Sequence, residues 1–311
     1  MSENQSSTFS EQNREKWIHA INLNDIDSMI HDGTQIQKEM IIFIEKILAS
    51  IRVIDQLHFA DLLTGLLKEV ESIDLERLNR TRHFAFLPVI NKLWNPTRKW
   101  IVQYQKKQQQ IDRFIHQLEQ SRTLLIQYTE KLQELTIQNH DFYHQLTFMI
   151  EAGEQTLKEI TQIKIPHLHE QIKHAKNRHQ QTQELHRLIN FVQQFEKKLY
   201  DLKLNRQIPL QVARQLKRIY PNNQAFAEQI QASVISTFLL WKKQWELAMT
   251  IMNEKRIIPL EDLKKSQQEI ISSLIKTIHI EKEGRKKRKD VEDELYKIGE
   301  EIRESWKQTP V

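Results

Sequence analysis

The chain has 311 residues, 46 basic against 41 acidic, for a net charge of +5, and it contains no cysteine. The missing thiols exclude disulfides, thiolate nucleophiles, iron–sulfur clusters and cysteine-bearing zinc sites. Five glycines and seven prolines fall well below the ordinary usage of about 7% and 5%, and no stretch alternates with period two between turn signals as a sheet requires. The composition therefore predicts an all-α protein. Apolar residues at 39% and charged residues at 28% suffice for narrow helical seams and are thin for a deep core.

Residues 1–10 read as a disordered polar tail, and the stretch Met1 to Asn13 has no apolar core flanked by positive charge, so a signal peptide is not expected. An N-terminal helical lobe follows over 11–95. It carries Trp17, Ile18 and Ile21, then Ile36, Met40, Ile44, Ile47, Ile51 and Ile54, with a turn expected at Asp32-Gly33-Thr34. A short apolar stretch from Phe59 to Leu67 leads to Asp74, a helix N-cap candidate. No apolar run approaches the 18 to 20 residues that span a bilayer.

The aromatic stretch Phe84-Ala85-Phe86-Leu87-Pro88 and Leu93-Trp94-Asn95-Pro96 reads as a junction, because both prolines interrupt helix and leave large rings to be covered. Beyond it lies the longest helical signal. Ile111, Phe114, Leu118, Leu125, Tyr128, Leu132, Leu135, Phe142, Leu146 and Met149 recur at steps of three and four, the spacing of a coiled-coil seam. At 1.5 Å per residue the segment from Lys99 to Ile163 makes a helix approaching roughly 100 Å. Ser121 and Gly153 narrow this seam, and Asn139 stands where a large apolar residue is expected, a substitution that costs stability and fixes register. A second seam runs through Leu185, Leu188, Val192, Phe195, Leu199 and Leu202. Since an internal proline ends or kinks a helix, breaks are expected at Pro166, Pro209 and Pro221. The expected architecture is an elongated helical bundle in which a long antiparallel coiled-coil hairpin, 96–208, is followed by a C-terminal helical region, 209–306.

No constellation of catalytic residues emerges. The chain has no glycine-rich phosphate loop, no Gly-x-Ser-x-Gly elbow and no calcium loop, and its carboxylates are scattered along helix faces, so neither catalytic nor cofactor-binding residues are expected. His140 and His144 stand one turn apart, with Asp141 and Glu151 nearby. They fall off the seam with no glutamate between them, and the set His167, His169, His174, His179 and His186 shows no repeated ligand spacing, so no metal site is expected. The one dense basic block holds Lys282, Arg285, Lys286, Lys287, Arg288 and Lys289. Asp290, Glu292 and Asp293 follow it at i,i+4 from Lys286, Arg288 and Lys289, which reads as a solvated, self-neutralised face, with contact to an anionic surface as the alternative.

Two stretches carry more identity than helix periodicity demands. Ile90-Asn91-Lys92-Leu93-Trp94-Asn95-Pro96, continuing through Trp100 and Tyr104 into Gln110-Ile111-Asp112-Arg113-Phe114, is one. The other is Tyr220-Pro221-Asn222-Asn223, followed by Ile230, Ser233, Thr237 and Leu240-Trp241-Lys242-Lys243-Gln244. Together they resemble the bacterial toxic anion resistance family of the TelA/KlaA type, whose signature reads Asn-Asn, Ile-x-x-Ser, Pro-Leu-Trp-Lys-x-Gln. The tail from Leu263 to Ile271 and Glu283 to Arg288 is similar to the C-terminal helix of its Gram-positive members, so the likeness runs from about 85 to 305. The family's Thr-Ile-Pro-Leu-Trp is Thr237-Phe238-Leu239-Leu240-Trp241 here, which removes a proline kink before the tryptophan, and a glycine usual in the first heptads is Ser121.

The resemblance implies a cytoplasmic helical protein, peripheral at the inner face of the membrane in the alternative reading, connected with resistance to tellurite and other toxic agents. A chain without thiols or a redox cofactor motif does not reduce an oxyanion, because the electrons must come from thiols, flavin, haem or nicotinamide. The expected role is a non-enzymatic coiled-coil adaptor. Its expected partners are other proteins, tellurium-resistance proteins among them, a second copy of itself, and an anionic membrane surface, with no nucleic acid. A weaker alternative is sequestration of an oxyanion or metal by the basic and histidine clusters. Interaction residues implied by the resemblance are Asn222, Asn223, Ser233, Trp241, Lys242 and Gln244, all but Ser233 expected to form one recognition or hinge surface, with Trp94, Trp100 and Tyr104 at the junction.

Overall fold

The structure, a computed structural model, describes residues 26–75, 96–174, 178–253 and 260–307. The polar tail and the junction with Trp94 lie outside the described residues, and so does the side chain of Trp100. All-α architecture holds throughout them, with no strand. The helices are α1 (Ile26–Asp55), α2 (Phe59–Glu71), α3 (Pro96–Glu159), α4 (Ile165–His174), α5 (Arg178–Asn205), α6 (Gln207–Gln229), α7 (Ser236–Asn253) and α8 (Leu260–Lys307). Wide π turns, Ile160–Lys164 and Ile230–Ile235, join α3 to α4 and α6 to α7 without a break. With 64 residues, α3 is roughly 95 Å long. No helix among the described residues is long and apolar enough to cross a membrane.

The helices form two compact units, one from the described residues up to Leu48 with Gln133–Leu216 and those from Asp293 on, the other from Ala49–Leu132 and Lys217–Glu292. In the first, Gly153 faces Leu199, Glu154 pairs with Lys203 at 2.6 Å and Asn139 meets Pro209. Going back along α3 from Gly153 to Asn139 carries the contact forward from Leu199 to Pro209, so α3 runs antiparallel to α5 and the start of α6. The seam narrows at Gly153 as expected: a Cβ there would lie 2.4 Å from Leu199 Cδ2. Buried Asn139 donates from Nδ2 to the Pro209 carbonyl at 2.7 Å, which ties the register of α3 to the first turn of α6. Phe191, with Phe195, is buried on the α5 seam where Val192 was expected; Val192 is half-buried. Ile44 and Glu45 of α1 lie against Gly299 and Arg303 of α8.

In the second unit α2 packs antiparallel on the first half of α3. Phe114 fills the space over Gly65, and Ser121 donates to the Leu57 carbonyl at the α1–α2 turn at 3.3 Å. That turn is closed by His58, whose φ of 51° is left-handed. Phe59 meets Phe226 of α6 edge to face, centroids 5.0 Å apart.

Three expected breaks are absent. Residues 32–34 lie inside α1, since one glycine costs a helix interior only about 1 kcal/mol. Pro221 lies inside α6. Its ring removes the donor for the Lys217 carbonyl, and the Asn222 carboxamide donates to the next carbonyl, that of Arg218. Pro166 follows the π turn Ile160–Lys164, which holds Gln162, the carbonyl its ring would strike in a regular helix. Pro209 sits in the first turn of α6, where proline is tolerated.

Candidate functional site

Helix α8 presents Leu263, Gln267, Ile270, Leu274, Thr277, Glu281, Gly284, Arg288 and Val291 at unbroken steps of four and three. The seam is apolar at its ends and polar between. Thr277, Glu281 and Arg288 are all buried, Arg288 to 2% exposure. Its Nε donates to Asp55 Oδ1 at 2.6 Å at the end of α1, Nη1 donates to Asn223 Oδ1 at 3.3 Å, and Nη2 lies 3.9 Å from Glu281 Oε1. Arg285 Nε donates to the same Glu281 oxygen at 3.0 Å. Buried charge is costly unless paired and hydrogen-bonded; the buried pair Glu281 and Arg288 meets that condition, with exposed Arg285 and half-buried Asp55 balancing the charge at its edge. Asn223 Nδ2 and Glu281 Oε2 remain buried with no hydrogen-bond partner among the described residues.

This corrects the reading of the basic block as a self-neutralised face. The seam register turns Arg288 inward. Glu292 pairs instead with Arg52 at 3.0 Å, and Asp290 faces Arg218 at 3.9 Å. Lys282, Arg285, Lys286, Lys287 and Lys289 are exposed, and Lys287 donates to Asn222 Oδ1 at 2.8 Å.

The rest of the signature lies in a second cluster. Trp241 and Trp245 are buried on one face of α7 and meet edge to face, 5.9 Å between centroids. Phe238 adjoins Trp241, and Tyr104 of α3 stacks on Trp245 at 4.2 Å. Lys242 Nζ bridges both oxygens of Asp112 at 2.9 and 3.0 Å. Burial first, then the negative charges of Asp112 and Glu246, push the Tyr104 hydroxyl well above the ordinary tyrosine range. Trp241 Nε1 is buried without a hydrogen-bond partner among the described residues. Half-buried Ser233 sits in the π turn and accepts at its carbonyl from the Ser273 hydroxyl, and Gln244 is exposed. The signature thus divides: Asn222 and Asn223 answer to α8 and Lys242 to α3, while Trp241 is buried against Phe238 and Trp245 of its own helix. Asp55, Glu281 and Asp112 were not singled out from sequence. The α8 register counted back from Val291 marks Glu281 as a seam position, whereas Asp55 and Asp112 carry no such signal.

The outer face of α7 carries three exposed leucines among polar residues such as Lys243 and Gln244. Leu239, Leu240 and Leu247 are 51%, 63% and 58% exposed. Among the described residues no group of three or more histidines and carboxylates could hold a metal ion.

The family described as Toxic anion resistance protein (TelA) matches residues 15–257. The chain belongs to the TelA family. The match begins earlier than the likeness read from residue 85 and ends before α8. A TelA-like protein of Staphylococcus saprophyticus, SSP1345, is 29% identical over 337 aligned residues, covering 96% of this chain and 89% of its own. The uncharacterized protein YaaN of Bacillus subtilis is 28% identical, covering 94% and 86%, and the uncharacterized protein Lmo1967 of Listeria monocytogenes is 28% identical, covering 88% and 77%. With at most 12% of this chain left uncovered, these alignments extend into α8, which the family match leaves out. No solved structure matches the chain.

Proposed function

We propose that this TelA-family protein serves toxic anion resistance as a non-enzymatic, cytoplasmic coiled-coil adaptor that acts by assembling with other proteins. The observation that carries this reading is the division of α7. Phe238, Trp241 and Trp245 are spent on packing while Leu239, Leu240 and Leu247 stand in solvent on the same signature helix, and exposed leucines two turns apart, with polar residues between them, suit another helix laid along that face. The partner fitting it is a protein presenting an apolar helix face, a tellurium-resistance protein or a second copy. Leu240→Lys with Leu247→Lys, in a strain lacking the native gene, tests the reading. Folding measured by circular dichroism should be kept while tellurite resistance is lost. Full resistance with the doubly charged helix would sink it.

A second reading rests on Lys282, Lys286 and Lys289, which share a face of α8 at i, i+4 and i+7 and are exposed. They suit an anionic lipid surface. Co-sedimentation with anionic vesicles that weakens from low to high salt would favour this reading, and no sedimentation at low salt would remove it.

A further inference from the structure

Away from both clusters, α3 carries His140 and His144 one turn apart. Their Nε2 atoms lie 3.1 Å from each other, with ring centroids 4.2 Å apart, and both residues are exposed. Tyr143 stands edge-on to the His144 ring at 5.7 Å and flanks it. Two imidazole nitrogens this close share a single proton, one donating and the other accepting.

The same separation is the bite of a chelate. A divalent metal binds imidazole nitrogen at about 2.0–2.1 Å, so two nitrogens 3.1 Å apart subtend roughly 95–100° at the metal, between the octahedral and tetrahedral angles. A metal at that angle lies roughly 40° off the line between the two nitrogens, so the rings swing toward one side to bind it. The ring carrying its proton on Nε2 shifts it to Nδ1, which frees both Nε2 lone pairs.

We infer that His140 and His144 form a bidentate site for a divalent first-row transition metal, Cu2+ ahead of Ni2+ and Zn2+ by the usual order of affinity at nitrogen ligands. With no third side-chain ligand grouped there among the described residues, the protein supplies two corners of the coordination sphere. Water or a small anion completes it, which makes the site exchangeable rather than structural. The histidines at 167 and 169 are spaced two apart, point to different sides of α4, and make an internal control.

The test is Cu2+ titration of the full-length chain against a chromophoric competitor, comparing wild type with His140→Ala, His144→Ala, the double variant and a His167→Ala/His169→Ala control. The substitutions are at exposed positions, and circular dichroism confirms each variant is folded. Wild type and control should take up one Cu2+ more than the double variant. Each single variant should bind at least as weakly as the roughly tenfold loss that follows removal even of an outer-shell partner. Uptake by the double variant equal to wild type, or a loss only in the control, would overturn the site.

Discussion

Arg288 shows how one residue can be legible in type and misleading in context. Lys-Lys-Arg-Lys reads as surface, yet the 3-4 register running down α8 puts this arginine on the buried seam between Asp55, Glu281 and Asn223. The register was available from Leu263 onward; the partners were not, because Asp55 is 233 residues away in sequence. Removing one member of such a network strands the others in low dielectric, so Arg288→Met should cost about 3–5 kcal/mol of unfolding free energy in urea. Lys286→Ala, two residues away and exposed, should change it by less than about 0.5 kcal/mol; equal effects would return the block to the surface. Tyr104 makes a pH prediction. Its folded-state ionisation is raised above the unfolded value of 10.0, so its contribution is complete below about pH 10 and is lost as pH rises further, where the unfolded chain ionises first. Lys198, lowered by burial, works in the opposite sense at lower pH. Comparing wild type with Tyr104→Phe isolates the tyrosine: wild type should lose more stability above pH 10, and parallel curves would contradict the burial argument.

Helices were easier to foresee than their ends. The long α3 and the tether at Asn139 follow from a 3-4 pattern whose polar exceptions are Ser121 and Asn139. The prolines misled, since tertiary packing on both sides of Pro221 holds a helix that a local rule would break, and a π turn beside Pro166 removes the clash that rule depends on. Glycines separate in the same way, by what surrounds the helix. A Cβ on Gly299 would meet nothing closer than Ile44 Cγ2 at 4.0 Å, whereas on Gly65 it would lie 2.6 Å from the Phe114 ring and on Gly153 2.4 Å from buried Leu199. Gly299→Ala should therefore stabilise the protein by about 1 kcal/mol through helix propensity. Gly65→Ala and Gly153→Ala should gain nothing and lose up to about 2 kcal/mol, because overpacking outweighs propensity. Thermal unfolding of the three variants ranks them, and stabilisation at Gly153 would mean that Leu199 moves freely.

For the whole chain, family and fold class were readable early, from residues such as Asn222, Asn223 and Trp241 whose identity exceeds what a seam requires. The use made of those residues was not readable, because helix periodicity says which side faces inward and is silent about which helix lies there. The π turn Ile230–Ile235, between the two halves of the signature, bears on how such a chain tolerates length change over evolution. A wide turn holds one residue more than a regular turn while its flanks keep their facing. Deleting one residue there restores regular geometry and leaves Trp245 on Tyr104 and Lys242 on Asp112. Deletion one turn into α7 rotates everything after it by about 100°. A lineage could therefore gain or shed a residue between Asn223 and Trp241 and keep both halves of its signature in place, and a scan of single deletions from 226 to 246 should show one permissive window, at the wide turn.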